Sequence, residues 1–233
     1  GGRGEAALMP EHDTIKLEGE ALTAENMLLD YDGQDTVVTF EGVDNFSITL
    51  ENFDFTDLDN LPAVEGWNIL FDGQTEGSDA YDVFNNHSAL QHNIWNKDSV
   101  TFLNNADNTV NGKDGSDDVI NAMDGDDVID GKGGNDTLRG GDGDDRLIGG
   151  AGDDRLDGGN HTDIAVFSGD HAEYQITFNE DESITITDTV EGRDGSDTLL
   201  GIERVEFRDG EVDATPEALI LPAVGEDDDT QSD

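Results

Sequence analysis

Six aspartates recur every nine residues: Asp118, Asp127, Asp136, Asp145, Asp154 and Asp163. A carboxylate is a hard oxygen donor, and a fixed spacing arranges such donors as a row. Two residues before the aspartate stands Gly125, Gly134, Gly143 or Gly152, replaced by Ser116 and His161 in the first and last units. Two residues after it stands Ile120, Ile129, Leu138, Leu147, Leu156 or Ala165. Two like charges about 5 Å apart repel by roughly 3 kcal/mol at an effective dielectric of 20. A row of them next to flexible glycine backbone therefore calls for a counter-charge. The chemistry that suits carboxylates with bared carbonyls is capture of a hard divalent cation, which takes about six to eight oxygens.

The elements that would hold this row follow from the same period. From residue 113 the chain divides into KDGSDDVIN, AMDGDDVID, GKGGNDTLR, GGDGDDRLI, GGAGDDRLD and GGNHTDIAV. With the aspartate at position six, the aliphatic side chain falls at position eight. One aliphatic residue in nine cannot line a helix, which needs apolar residues three and four apart. One inward side chain per short strand suits a parallel β-coil with turns at both edges. Glycine lets those turns take positive φ and lets carbonyls crowd a common point. A flexible linker has no reason to keep an aliphatic residue in phase. An EF-hand is excluded, because "DDRLDG" (153–158) places Leu156 inside the loop and Ile164 stands where the closing Glu is needed.

The units resemble the nonapeptide G-G-x-G-x-D-x-U-x of the RTX (repeats-in-toxin) family, whose calcium binding is already part of the general description of that motif. The resemblance implies an all-β fold: a calcium-bound parallel β-roll of nonapeptide repeats flanked by N- and C-terminal β-rich capping regions. It implies two nonapeptides per coil and calcium between like-sided turns two repeats apart, with roughly four or more Ca2+ ions. The implied ligands are the six position-six aspartates together with residues at positions one and three: Asp124, Gly131, Gly133, Gly140, Asp142, Gly149, Ala151, Gly158 and Asn160. Asp194 and Asp197 join them, because "RDGSDTLLG" (193–201) repeats the motif through Gly195, Asp197 and Leu199. "YDGQDTVV" (31–38) and "EGSDAY" (76–81) are weaker echoes that read as Asp-Gly turns between strands.

Composition bounds the partners. The chain has 233 residues with 57 acidic and 11 basic side chains, a formal charge of -46. Nucleic acid is not a partner for such a chain, because phosphate contacts need Lys and Arg. So large a like-sign charge opposes compaction unless cations neutralise it. Cysteine is absent, so neither disulfides nor thiolate metal sites contribute. No run approaches the roughly 18 apolar residues of a membrane span, and no secretory signal stands at the N-terminus.

Along the chain the sequence reads as a tail over 1–10, a β-rich region over 11–110, the repeats over 111–166, a β cap over 167–212 and an acidic tail over 213–233. In the β-rich region, Val37–Phe40 and Phe46–Leu50 are strands split by Gly42–Asn45, and "ALTAENMLL" (21–29) is a short helix. Residues 71–110 read as irregular with short strands. In the cap, "YQITF" (174–178) and "SITIT" (183–187) alternate at period two around Asn179–Glu182, a hairpin, and "IERVEF" (202–207) is a further strand. Region 163–210 resembles the segment that follows such arrays in large secreted bacterial proteins and closes the end of the roll.

No G-x-S-x-G, H-E-x-x-H or P-loop occurs, so this chain is read as non-catalytic. His87, His92 and Trp95 cluster without a motif, and His161 replaces a turn glycine. The resemblance implies a secreted, extracellular protein exported by a type I secretion apparatus, with "ALILPAVGEDDDTQSD" (218–233) as the candidate signal. Such arrays accompany proteases, lipases, peroxidases, alginate epimerases and adhesins. Residues 11–110 are accordingly a candidate module for a glycan or cell-surface ligand.

Overall fold

The computed structural model describes residues 15–17, 22–53, 69–70, 81–83, 93–94 and 97–220. They fall into two compact units, Gly1–Phe84 and Asn85–Asp233. Residues 87, 92 and 95, most of the echo at 76–81 and the end of the chain from 221 lie outside the described residues.

The first unit carries strands β1 (Ile15–Lys16), β2 (Met27–Tyr31), β3 (Thr36–Phe40), β4 (Ile48–Leu50), β5 (Ile69–Leu70) and β6 (Tyr81–Val83). Strands β2, β3 and β4 form an antiparallel sheet, with Met27 opposite Phe40 and Val38 opposite Ile48. Met27, Leu29, Val38 and Phe40 are its buried face. The helix expected over 21–29 does not form. Thr23 donates from its N–H and its hydroxyl to Asn26 Oδ1 at 3.0 and 2.9 Å, which stabilises a turn. Pairing with β3 then takes the residues that follow. The echo at 31–38 is the turn between β2 and β3, where Asp32 Oδ1 accepts the N–H groups of Gln34 and Asp35.

The second unit is a parallel β-roll. Strands β7 (Val100–Phe102), β9 (Val119–Asn121), β11 (Thr137–Asp142) and β13 (Arg155–Asn160) stack in one sheet. Strands β8 (Thr109–Asn111), β10 (Val128–Asp130), β12 (Arg146–Ile148) and β14 (Ile164–Val166) stack in the other. Each coil contributes one strand to each sheet. Thr101, Ile120, Leu138 and Leu156 lie in register in the first, and Val110, Ile129, Leu147 and Ala165 in the second. Ile120, Ile129, Leu138, Leu147, Leu156 and Ala165 are all 0% exposed. Full burial of such a side chain contributes about 1.5–3 kcal/mol, so this double column is the core of the roll.

The stack continues after a detour. Residues 167–195 leave the roll, make a 3-10 turn at His171–Glu173 and a hairpin of β15 (Tyr174–Phe178) and β16 (Ile184–Asp188), and return. Strand β17 (Ser196–Leu200) then lies parallel on β13, with Leu156 opposite Leu199, and β18 (Arg204–Phe207) lies on β14. Beyond them pairing turns antiparallel: β16 pairs with β17, and β19 (Gly210–Asp213) with β18. The antiparallel strands cover the terminal edges that a parallel stack would leave open. An aromatic cluster fastens the detour, with the Phe207 ring 5.7 Å from Phe167 and 4.6 Å from His171. His171 Nε2 donates to the Leu219 carbonyl at 2.7 Å, which docks the short helix α1 (Pro216–Leu219). Among the described residues no helix is long and apolar enough to cross a membrane.

Candidate metal centre

The position-six aspartates form two columns, one at each edge of the roll. Their first oxygen is used by the protein. Asp118 N–H donates to Asp136 Oδ1 at 2.7 Å, Asp136 N–H to Asp154 Oδ1 at 2.8 Å, and Asp154 N–H to Asp197 Oδ1 at 2.8 Å. In the other column Asp127 N–H donates to Asp145 Oδ1 at 2.8 Å and Asp145 N–H to Asp163 Oδ1 at 2.9 Å. Asp163 N–H ends this column on Glu203 Oε2 at 2.9 Å.

The second oxygen is the unusual one. Oδ2 of Asp127, Asp136, Asp145, Asp154 and Asp163 is buried and has no hydrogen-bond donor. Four of these carboxylates lie against the first glycine of their own unit: a methyl group on Gly131, Gly140, Gly149 or Gly158 would overlap Oδ2 of Asp136, Asp145, Asp154 or Asp163. At Gly131, Gly140 and Gly158 the carbonyl oxygen of Gly149, Gly158 or Gly201, one coil further on, crowds the same point. Acceptor therefore faces acceptor, and a buried acceptor left unpaired costs about 1–3 kcal/mol. A positive centre resolves that conflict.

The acidities report the same conflict. Burial, opposed by the N–H bonds and helped by neighbouring carboxylates, pushes Asp127 and Asp136 up to about 8 and Asp163 up to about 7. Burial likewise raises Asp145 and Asp154 to about 6 and Asp197 to about 9. These carboxyls resist ionisation unless a cation accompanies them.

Among the described residues no three acidic or imidazole side chains converge on one point. A cation here would be held by one or two carboxylates and otherwise by main-chain oxygens, an all-oxygen set that fits calcium and not zinc. The remaining ligand candidates are placed as follows. At position three Asp124 pairs with Asp142, and Gly133 with Ala151, as isolated parallel bridges. Asn160 Nδ2 donates to Asp142 Oδ1 at 2.5 Å. Asp118 differs from the other five aspartates. Its Oδ1 accepts from Ser116 Oγ at 2.8 Å and its Oδ2 from Lys113 N–H at 2.8 Å. Asp194 is also engaged, accepting from Ser168 Oγ, Ser168 N–H and the Tyr174 hydroxyl.

Two parts of the site were not read from the sequence. Glu203 sits in the position-six place of the last coil, hidden because its turn is shorter and its acid one methylene longer. Position five forms a second, exposed ladder. Asn135 N–H donates to Asp117 Oδ1, Asp153 N–H to Asn135 Oδ1, and Asp144 N–H to Asp126 Oδ1, at 2.7–3.0 Å. The recurrence of Asp or Asn at that position was the available signal.

Comparison with known proteins agrees with this geometry. The chain matches the family described as RTX calcium-binding nonapeptide repeat (4 copies) over residues 103–138, 131–165 and 187–201. No curated protein and no solved structure matches the chain. Stacked coils, most of them stepping by 18 residues, an inward aliphatic column and the family match together make residues 103–165 and 187–201 an RTX calcium-binding repeat module.

Proposed function

We propose that calcium entering the position-six turns is what folds this module, and that it does so outside a bacterial cell after type I export. The observation that carries the reading is the set of five buried aspartate oxygens without a donor. A chain with a formal charge of -46 has little reason to compact without cations. Where calcium is scarce, the repelling carboxylates favour an extended chain that can thread a secretion channel. Outside, calcium near millimolar meets sites of extracellular grade, with Kd of about 0.1–1 mM. Folding on the far side would then bias transport outward. On this reading the chain is a non-catalytic part of a larger secreted protein.

The residues present fit the ion. Asp127, Asp136, Asp145, Asp154 and Asp163 would hold it through Oδ2, with turn carbonyls of their own and neighbouring coils. Calcium supplies charge neutralisation and cross-links successive coils, so binding and folding are one transition. Far-UV circular dichroism during a calcium titration tests this. β signal should grow with calcium and collapse in EGTA, with magnesium a poor substitute because it keeps its waters and prefers a tight octahedron. Full β signal in EGTA, unchanged by calcium, would reject the proposal.

A further inference from the structure

The first coil of the roll solves the acceptor conflict differently. Its second turn, residues 103–111, places Asn108 where later turns have aspartate: Val110 is in register with Ile129, and Asn108 N–H donates to Asp127 Oδ1 at 2.6 Å. The Asn108 side-chain Nδ2 points back into its own turn and donates to the carbonyls of Asn104, at 3.1 Å, and of Ala106. An amide facing carbonyls is donor facing acceptor, which requires no ion. A carboxylate in the same place brings a second acceptor and no donor, and in five later turns its Oδ2 is buried without a partner. The turn that follows in the chain is also closed by the protein, since Asp118 takes Ser116 Oγ and Lys113 N–H.

Resting on the calcium reading of the other turns, we infer that the Asn108 amide stands in for a calcium ion. The choice of Asn or Asp at position six thus decides which turns of this roll take metal. The 103–111 turn closes by hydrogen bonds alone and presents the Asn108 N–H to the first metal-bearing turn of its column. The number of metal-bearing turns is then lowered by one through a single group exchange, NH2 for O.

Native mass spectrometry of the whole chain at saturating calcium tests this with two reciprocal variants. Asn108→Asp should carry one more calcium than the wild type. Asp127→Asn should carry one fewer and keep a thermal midpoint in calcium well above that of Asp127→Ala, because the amide can bond the turn carbonyls and the methyl cannot. An Asn108→Asp chain with an unchanged count, or one that no longer folds in millimolar calcium, overturns the inference. So does an Asp127→Asn chain that melts with Asp127→Ala. A wild type that binds no calcium would instead sink the calcium reading itself, which keeps the two failures apart.

Discussion

The N–H of Asp154 donates to Oδ1 of Asp197 at 2.8 Å, although 43 residues separate them. The same bond inside the array spans 18 residues, as between Asp136 and Asp154. Asp197 thus belongs to the aspartate column, and the residues between are an excursion. Replacing it removes the acceptor of a buried N–H. Asp197→Ala should cost about 1–3 kcal/mol in calcium-saturated denaturant unfolding and shift the calcium midpoint of the β signal upward. Unchanged stability would show that the last coil does not support the one before it.

Acidity should separate the metal-free from the metal-bound roll. Burial holds Asp127 and Asp136 near about 8 and Asp145 and Asp154 near about 6, against about 3.9 in an unfolded chain. A raised carboxyl pKa stabilises the calcium-free fold fully below about 3.9, and that contribution is lost as pH rises through about 6 to 8. Glu206 acts in the opposite sense. Its hydrogen bonds from Arg146 hold it below its usual range, so its contribution fades as pH falls below about 4. In EGTA the β signal should therefore be greater near pH 5.5 than near pH 8.5. The calcium midpoint should rise on acidification, because protons and calcium compete for the same oxygens. Circular dichroism at both pH values checks the two signs.

Glycine at position four is not interchangeable with alanine. Gly143 has φ +146°, and a methyl group there would overlap the Gly125 carbonyl of the coil below. Gly143→Ala should cost about 2–4 kcal/mol, from backbone strain and collision together. Lys132 is the contrasting case, a side chain held at φ 77° in position two. Its ion pair with Asp130 is partly exposed and worth little. Lys132→Gly should gain about 1 kcal/mol. Chemical denaturation in excess calcium measures both.

The aliphatic column supplies a metal-independent control. Leu147 is 0% exposed, and Leu147→Ala should cost about 2–5 kcal/mol. Ile148, its half-buried neighbour on the other face of the strand, should lose much less on the same change. Both variants should keep the wild-type calcium count.

The nine-residue period carried the roll itself, because aspartate and aliphatic positions stay in phase through consecutive units. What it hid was each place where the phase breaks. Position six of the first coil lies 19 residues before Asp127, not 18, because Gly112 takes the place beside Asp118 that Gly131 holds beside Asp136. A frame begun at Lys113 therefore could not see Asn108, Ser99 or strand β7 as members of the stack. Glu203 was hidden by a shortened turn. The helix expected over 21–29 failed for another reason: cross-strand pairing to β3 decides the fate of Met27–Tyr31, and local propensity does not report it.

The excursion at 167–195 shows that the roll keeps its register at a corner where a long stretch of chain is let out. Strands β13 and β17 meet with the alignment of any adjacent pair. A corner of this kind is an insertion port: the native hairpin enters after Val166 and leaves before Ser196, and the strands on either side keep the spacing of the coils.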